Sequence, residues 1–329
     1  MTDVTVRPAA ESDLKAVLEI HKAQNDFGGS WFTNPFAGGK EARWDDLTPA
    51  QRWLHGGPWM DPQLLALHVR RYAEAKGAVL VAERDGKVVG EAELWPAEEP
   101  LPIGAYLDIE MLITQPPGDA DVERALLEAA VREARSRDLR ALDIAPLHAG
   151  GGKGPLSEAG FQVLLEHRTV HLEAGRRPKP PEYGILNTAP SLADLQDLIL
   201  LDHREPADFR LGNVGDGWSS GLLKGVSPPF GALLRVGSAD LGVTGCVRAW
   251  LPEPEAEIDL WASTAGLGNM PWFTQAVAAA LDHVAKGVQA VRFCATVRSH
   301  LVPALQAIGF EDGAEPDPWL RRHISLRNI

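Results

Sequence analysis

The chain has 329 residues, with 32 Lys and Arg against 45 Asp and Glu for a formal charge of -13, and is 45% hydrophobic and 23% charged. That is the composition of an ordinary globular protein rather than a disordered, collagenous or coiled-coil chain, and at about 150 residues per domain its length points to two domains. The acidity argues against nucleic-acid binding, the polar start after Met1 shows no secretory signal, no apolar run reaches the roughly 18 residues of a membrane helix, and Cys246 and Cys294 alone make neither a disulfide framework nor a zinc knuckle, so a reduced, cytoplasmic protein without metal is expected.

Residues 4–8 read as a short strand, followed by a helix capped by Ser12 with Leu14, Val17, Leu18 and His21 at helical spacing. Between Phe27 and Trp95 lie Trp31, Trp44, Trp53, Trp59, Phe32 and Phe36, a cluster that reads first as the core of an inserted segment and second as an aromatic pocket. Residues 78–84 and 87–95 form a hairpin around Asp85-Gly86, a strong two-residue turn signal. A strand at 105–114, a helix at about 119–138 and a strand at 140–145 make a parallel crossover unit. The run Gly150-Gly151-Gly152-Lys153-Gly154 is not a P-loop, because Leu147 stands where its first glycine belongs and Gly154 where Ser or Thr must bind magnesium. Lys153 is a minor candidate for a phosphate contact. His167 and His171 share a face of a predicted strand but find no third ligand in that segment, and they read as structural. Cys246 and Cys294 read as buried small hydrophobes.

Clustered proline in Arg176-Arg177-Pro178-Lys179-Pro180-Pro181 marks a linker, and residues 182–329 repeat the order of elements found in the first half. Ser191 opens a helix with Leu195, Leu198 and Ile199, the segment from His203 to Phe230 is rich in glycine and proline and reads as a lid, and 231–237 with 240–250 repeat the hairpin. Strand 256–264, helix 271–286 and strand 288–296 repeat the crossover. Val88 to Trp95 aligns with Val243 to Trp250, Asp108 with Asp259, Thr114 with Thr264, Gly118 with Gly268, and Gly160-Phe161 with Gly309-Phe310. The first 175 residues carry 18 basic and 28 acidic residues and the rest 14 and 17, so the second half is the milder host for an anion.

On these elements and their order, each half resembles the GCN5-related N-acetyltransferase (GNAT) fold, and the chain is similar to tandem members of that family, in an arrangement like that of mycothiol synthase. The resemblance implies an α/β protein of two GNAT-like domains, 1–175 and 182–329 joined by the linker 176–181, each a mixed, mostly antiparallel sheet with helices on both faces. It implies an N-acetyltransferase that takes acetyl-CoA as acyl donor and moves the acetyl group directly to the amine of a small molecule, with no covalent enzyme intermediate, as a monomer or homodimer. The family binds the CoA diphosphate at a Gln/Arg-x-x-Gly-x-Gly/Ala turn opening a helix, where backbone amides face the anion. Gln115-Pro116-Pro117-Gly118-Asp119-Ala120 fits in letters, but its prolines delete donors and Asp119, Asp121 and Glu123 repel phosphate. The expected cofactor residues are therefore those of the second half, Ala262, Ser263, Thr264, Ala265, Gly266, Leu267, Gly268 and Asn269. The family's proton-accepting carboxylate lies on the strand before this turn, which nominates Glu257 and Asp259, with Glu110 beside Asp108 in the first half. Its general acid, a tyrosine four residues before the Gly-Phe glycine, is replaced by Leu156 and Leu305. These losses leave an alternative from another class: a catalytically degenerate pair that binds a metabolite or CoA without turnover.

Overall fold

Asp85 and Gly86 both adopt positive φ, 52° and 72°, the twist that a two-residue hairpin turn requires, and the strands they join anchor the first half. The computed structural model describes residues 3–24, 27–146, 153–202, 205–213, 215–313 and 315–325. Leu147, the glycines 150–152 and the Lys153 side chain fall outside the described residues.

The first half runs β1 (Thr5–Pro8), α1 (Leu14–Ala23), β2 (Trp31–Phe32), β3 (Glu41–Ala42), α2 (Pro49–Trp53), α3 (Pro62–Glu74), β4 (Ala78–Arg84), β5 (Lys87–Glu99), β6 (Gly104–Thr114), α4 (Ala120–Ser136), β7 (Ala141–Ile144), α5 (Lys153–Glu158) and β8 (Gln162–Glu173). The second runs β9 (Gly184–Asn187), α6 (Leu192–Leu195), β10 (Ile199–Leu200), α7 (Ala207–Asn213), α8 (Gly215–Ser219), β11 (Phe230–Val236), β12 (Ala239–Arg248), β13 (Glu255–Ala262), α9 (Thr264–Leu267), α10 (Met270–Gly287), β14 (Arg292–Arg298), α11 (Val302–Gln306), β15 (Glu311–Asp312) and β16 (Asp317–His323). Three details depart from the sequence reading. Ser12 falls inside a 3-10 turn rather than capping α1, the strand expected from residue 288 begins at Arg292, and the helix opened by Ser191 stops after one turn.

Amphipathic α4 buries Val122, Leu126, Ala130 and Ala134 against the first half's strands, and α10 buries Phe273, Val277, Ala280 and Leu281 against the second's. Each covers one face of its half of the sheet. The sheet itself is continuous, in the order β1-β4-β5-β6-β7-β16-β8-β14-β13-β12-β11-β9, with β10 added to β13 and β15 to β8. Only β6–β7 and β13–β14 pair in parallel among these strands. The middle of that order is an exchange: β8 of the first half pairs with β14 from Arg292↔Glu173 to Arg298↔His167, while the last strand, β16, lies between β8 and β7. Buried Arg321 of β16 donates to Asp143 of β7 at 2.8 and 2.7 Å. Among the described residues no helix is long and apolar enough to cross a membrane.

Candidate functional site

Alternation along β12 and β13 turns Val243, Ile258 and Leu260 toward α10 and Thr244, Cys246, Glu257 and Asp259 to the other face, with Thr244 across from Asp259 and Cys246 across from Glu257. That second face borders a cavity of about 350 Å³. Phe230, Gly231, Gly245, Pro190, Arg210, Trp250 and, from the first half, Trp53 complete its walls. The Trp53 and Trp250 rings meet edge to face at 5.2 Å. Gly245 is required here, because a Cβ at that position would lie 2.0 Å from the Glu257 carbonyl oxygen.

Glu257 and Asp259 do come together as the sequence suggests, but on a cation. Arg210 of α7 donates to Glu257 at 2.9 Å, to Asp259 at 3.2–3.3 Å and to Glu205 at 3.4 Å. Burial works against the charge of this guanidinium, yet Asp259, Glu257 and Glu205 together hold its pKa well above the ordinary value. Burial pushes the Asp259 carboxyl up to about 6, with Arg210 pulling the other way. The Cys246 thiol is pushed up to about 12 by burial and by the charge of Glu257, which leaves it protonated and a poor nucleophile.

Glu110 stands apart from this site. It is buried on β6 beside Asp108, and burial raises both carboxyls well above the ordinary range, helped at Asp108 by the charge of Asp143 and at Glu110 by that of Asp108, so the hydrogen-bonded pair favours keeping a proton. The space over that face is filled. Phe209 of α7 packs against Tyr72 and Trp95, Arg71 donates to the Asp208 and Phe209 carbonyls at 2.9 and 2.8 Å, and Trp95 Nε1 donates to Asp208 at 2.9 Å. The segment read as a lid is thus, in its first part, a helix that plugs the first half and delivers Arg210 to the second. The aromatic cluster divides in the same way: Trp95 joins that core, Trp31 and Trp44 pack on each other at 4.5 Å, and Trp53 reaches the cavity.

In both turns the chain itself takes up part of the amide set. In the first, Asp119 caps α4 by accepting from the Val122 amide and is gripped by Arg84 at 2.7 and 3.1 Å, so a carboxylate sits where a diphosphate would. In the second, the Gly266 amide donates to Ser263 Oγ, and those of Leu267, Gly268 and Asn269 donate to the Ser263, Thr264 and Gly266 carbonyls. A CoA with its diphosphate at residues 262–269 and its acyl group at Glu257 would have to lay its arm along β13 between them. β13 and β14 pair only as far as Ile258↔Ala295, and the edge beyond is taken by the chain itself: Leu200↔Trp261, Ile199↔Ala262, and Leu201 N donating to Leu260 O at 2.9 Å. The residues present do not fit CoA in this arrangement.

Sequence reasoning missed Arg210 and the role of Trp250. Arg210 lies in a segment without apolar periodicity, and Trp250 aligns with Trp95 as a strand end although β12 stops at Arg248. No protein-family profile matches the chain, and no curated protein matches it in sequence. Solved structures do. The order of strands in each half, the parallel pair followed by a helix, and the doubling of the whole define a tandem GNAT fold. The chain superposes on a GCN5-related N-acetyltransferase from Anabaena variabilis with a TM-score of 0.59 at 12% identity, over 98% of this chain and 74% of that one. It matches a probable N-acyltransferase from Enterococcus faecalis at 0.58 and 13%, over 99% and 74%, and a tandem GNAT protein from the clavulanic acid biosynthesis pathway at 0.50 and 15%, over 98% and 99%.

Proposed function

We propose that this chain is a ligand-binding tandem GNAT protein, whose second half keeps a cavity for a small-molecule amine and has closed the acyl-donor path with its own strand. The pairing of β10 with the free edge of β13 carries this reading. An amine suits the cavity because Glu257 and Asp259 outnumber Arg210 on its lining and the indole faces of Trp53 and Trp250 attract a cation. The missing tyrosines and the self-bonded turns point the same way. Both halves act as one unit, in a reducing compartment where Cys246 and Cys294 stay reduced.

The second reading, an acetyl-CoA-dependent N-acetyltransferase, is favoured by the position of Glu257 and Asp259 in the cavity on the strand where the family keeps its proton acceptor. Calorimetry of the full chain with CoA and with a panel of primary amines, run beside a thiol-release assay with acetyl-CoA, separates the two. Heats with amines, none with CoA and no thiol release are expected. CoA binding that Gly268→Asp weakens, or amine-dependent thiol release, overturns the binding-module reading.

A further inference from the structure

One strand beyond Glu257, three residues that lie far apart in sequence converge. Cys294 of β14 is the register partner of Glu257 on one side and of His171 on the other, and Glu255 sits two residues before Glu257 on the same face of β13. His171 Nδ1 lies 3.0 Å from Glu255 Oε1, and donor atoms of His171, Glu255 and Cys294 all fall within 4.8 Å of one another.

We infer that His171, Glu255 and Cys294 form a binding site for a divalent transition metal of the zinc class, at the seam where the exchanged strand β8 joins the second half. An imidazole, a carboxylate and a thiolate suit zinc and exclude magnesium or calcium, which take oxygen ligands. Zinc bonds of about 2.0–2.3 Å place tetrahedral donors about 3.5 Å apart, so the longest separation has to shorten by about 1.3 Å and the His171–Glu255 contact to open by about 0.5 Å, within reach of small side-chain rotations. The imidazole is already held. Gly313 packs so closely on it that a Cβ there would meet His171 Cδ2 at 2.5 Å, and only glycine leaves the ring its place. Arg248 donates to Glu255 Oε2 at 2.9 Å, which orients that carboxylate and leaves Oε1 toward His171. Glu255 and the Cys294 thiolate supply two negative charges to offset the two of the ion, and Arg248 stays close enough to hold Glu255 in place. Half-buried His171 gives the ion a route in, and three protein donors leave a fourth position for water.

The test uses the full chain stripped with chelator. Zinc affinity is read by competition with a chromophoric chelator, and cobalt as a spectroscopic stand-in reports a thiolate ligand through its sulfur-to-metal charge-transfer band. One equivalent of tight zinc is expected, with the cobalt band present. Cys294→Ser removes the band and weakens zinc at least 100-fold, His171→Asn and Glu255→Gln each weaken it at least 10-fold, and Cys246→Ser changes neither. Circular dichroism of the stripped variants confirms that each is folded, and half-buried His171 supplies the variant least exposed to misfolding. Substoichiometric zinc in the unsubstituted chain, unchanged affinity in Cys294→Ser or His171→Asn, or a cobalt band lost with Cys246→Ser overturns the site.

Discussion

Replacing Asp259 with Asn gives the sharpest test of the electrostatics at the cavity. Asp259 is 4% exposed, and burial pushes its carboxyl to about 6 despite Arg210, whereas an unfolded chain holds aspartate near 3.9. A difference of about 2 units is worth about 3 kcal/mol at about 1.4 kcal/mol per unit. The sign is set by where the proton is held. The folded state binds it more tightly, so Asp259 costs nothing below about pH 4, the cost grows as pH rises from 4 through 6, and it is complete above that. Asparagine does not titrate. The unfolding free energy of Asp259→Asn minus that of the native chain should therefore increase by about 3 kcal/mol between pH 4 and pH 7. Urea denaturation followed by tryptophan fluorescence at half-unit pH intervals measures it, and a constant offset from altered bonding to Arg210 leaves the slope untouched. A flat difference would show that Arg210 fully offsets burial, and a slope of opposite sign that the ion pair dominates; either refutes the reasoning.

Removing Arg321 as Arg321→Met strands Asp143 in the core and should cost about 3–5 kcal/mol, with much of it restored in the double variant with Asp143→Asn, read by urea midpoint. Asp119→Ala removes the cap of α4 and the Arg84 grip and should lower stability by about 1–2 kcal/mol, without creating CoA binding in calorimetry. Trp250→Ala opens the cavity wall, and thermal shifts by amines that bind the native chain should shrink or vanish; shifts of equal size would place their site elsewhere. Residues 182–329 expressed alone lack β8 for the edge of β14 and should aggregate, whereas co-expression with residues 1–175 should recover soluble complex; a stable monomeric fragment contradicts the exchanged sheet.

Much of the fold is legible because its signals are local. Asp85-Gly86 fixes a hairpin by its own conformation, and alternation along β12 and β13 places Glu257 and Asp259 on one face whatever their partners are. The features that stay hidden depend on partners chosen at long range. Leu195, Leu198 and Ile199 have helical spacing, yet the free edge of β13 offers Ile199 and Leu200 a ladder that outweighs that local preference. The repeat aligns Asp108 with Asp259, but Asp108 meets Glu110 of its own strand and Asp259 meets Arg210, which comes from a segment outside the repeat pattern. The cluster of His171, Glu255 and Cys294 spans three strands, and no spacing within one segment could announce it. The aromatic segment could be recognised but not apportioned, since only the docking of α7 decides which rings become core and which become wall.

The exchange of β8 and β16 also governs when this protein can finish folding. Synthesis proceeds from the N-terminus at about 5–20 residues per second, and domains made first usually close first. Here β7 has to wait for its neighbour: β8 ends at Glu173 and β16 begins at Asp317, 317 minus 173 or 144 residues later. For about 7–30 s at those speeds the first half remains on the ribosome with a bare strand edge and an unneutralised Asp143, and the chain closes that edge only once β16 has emerged.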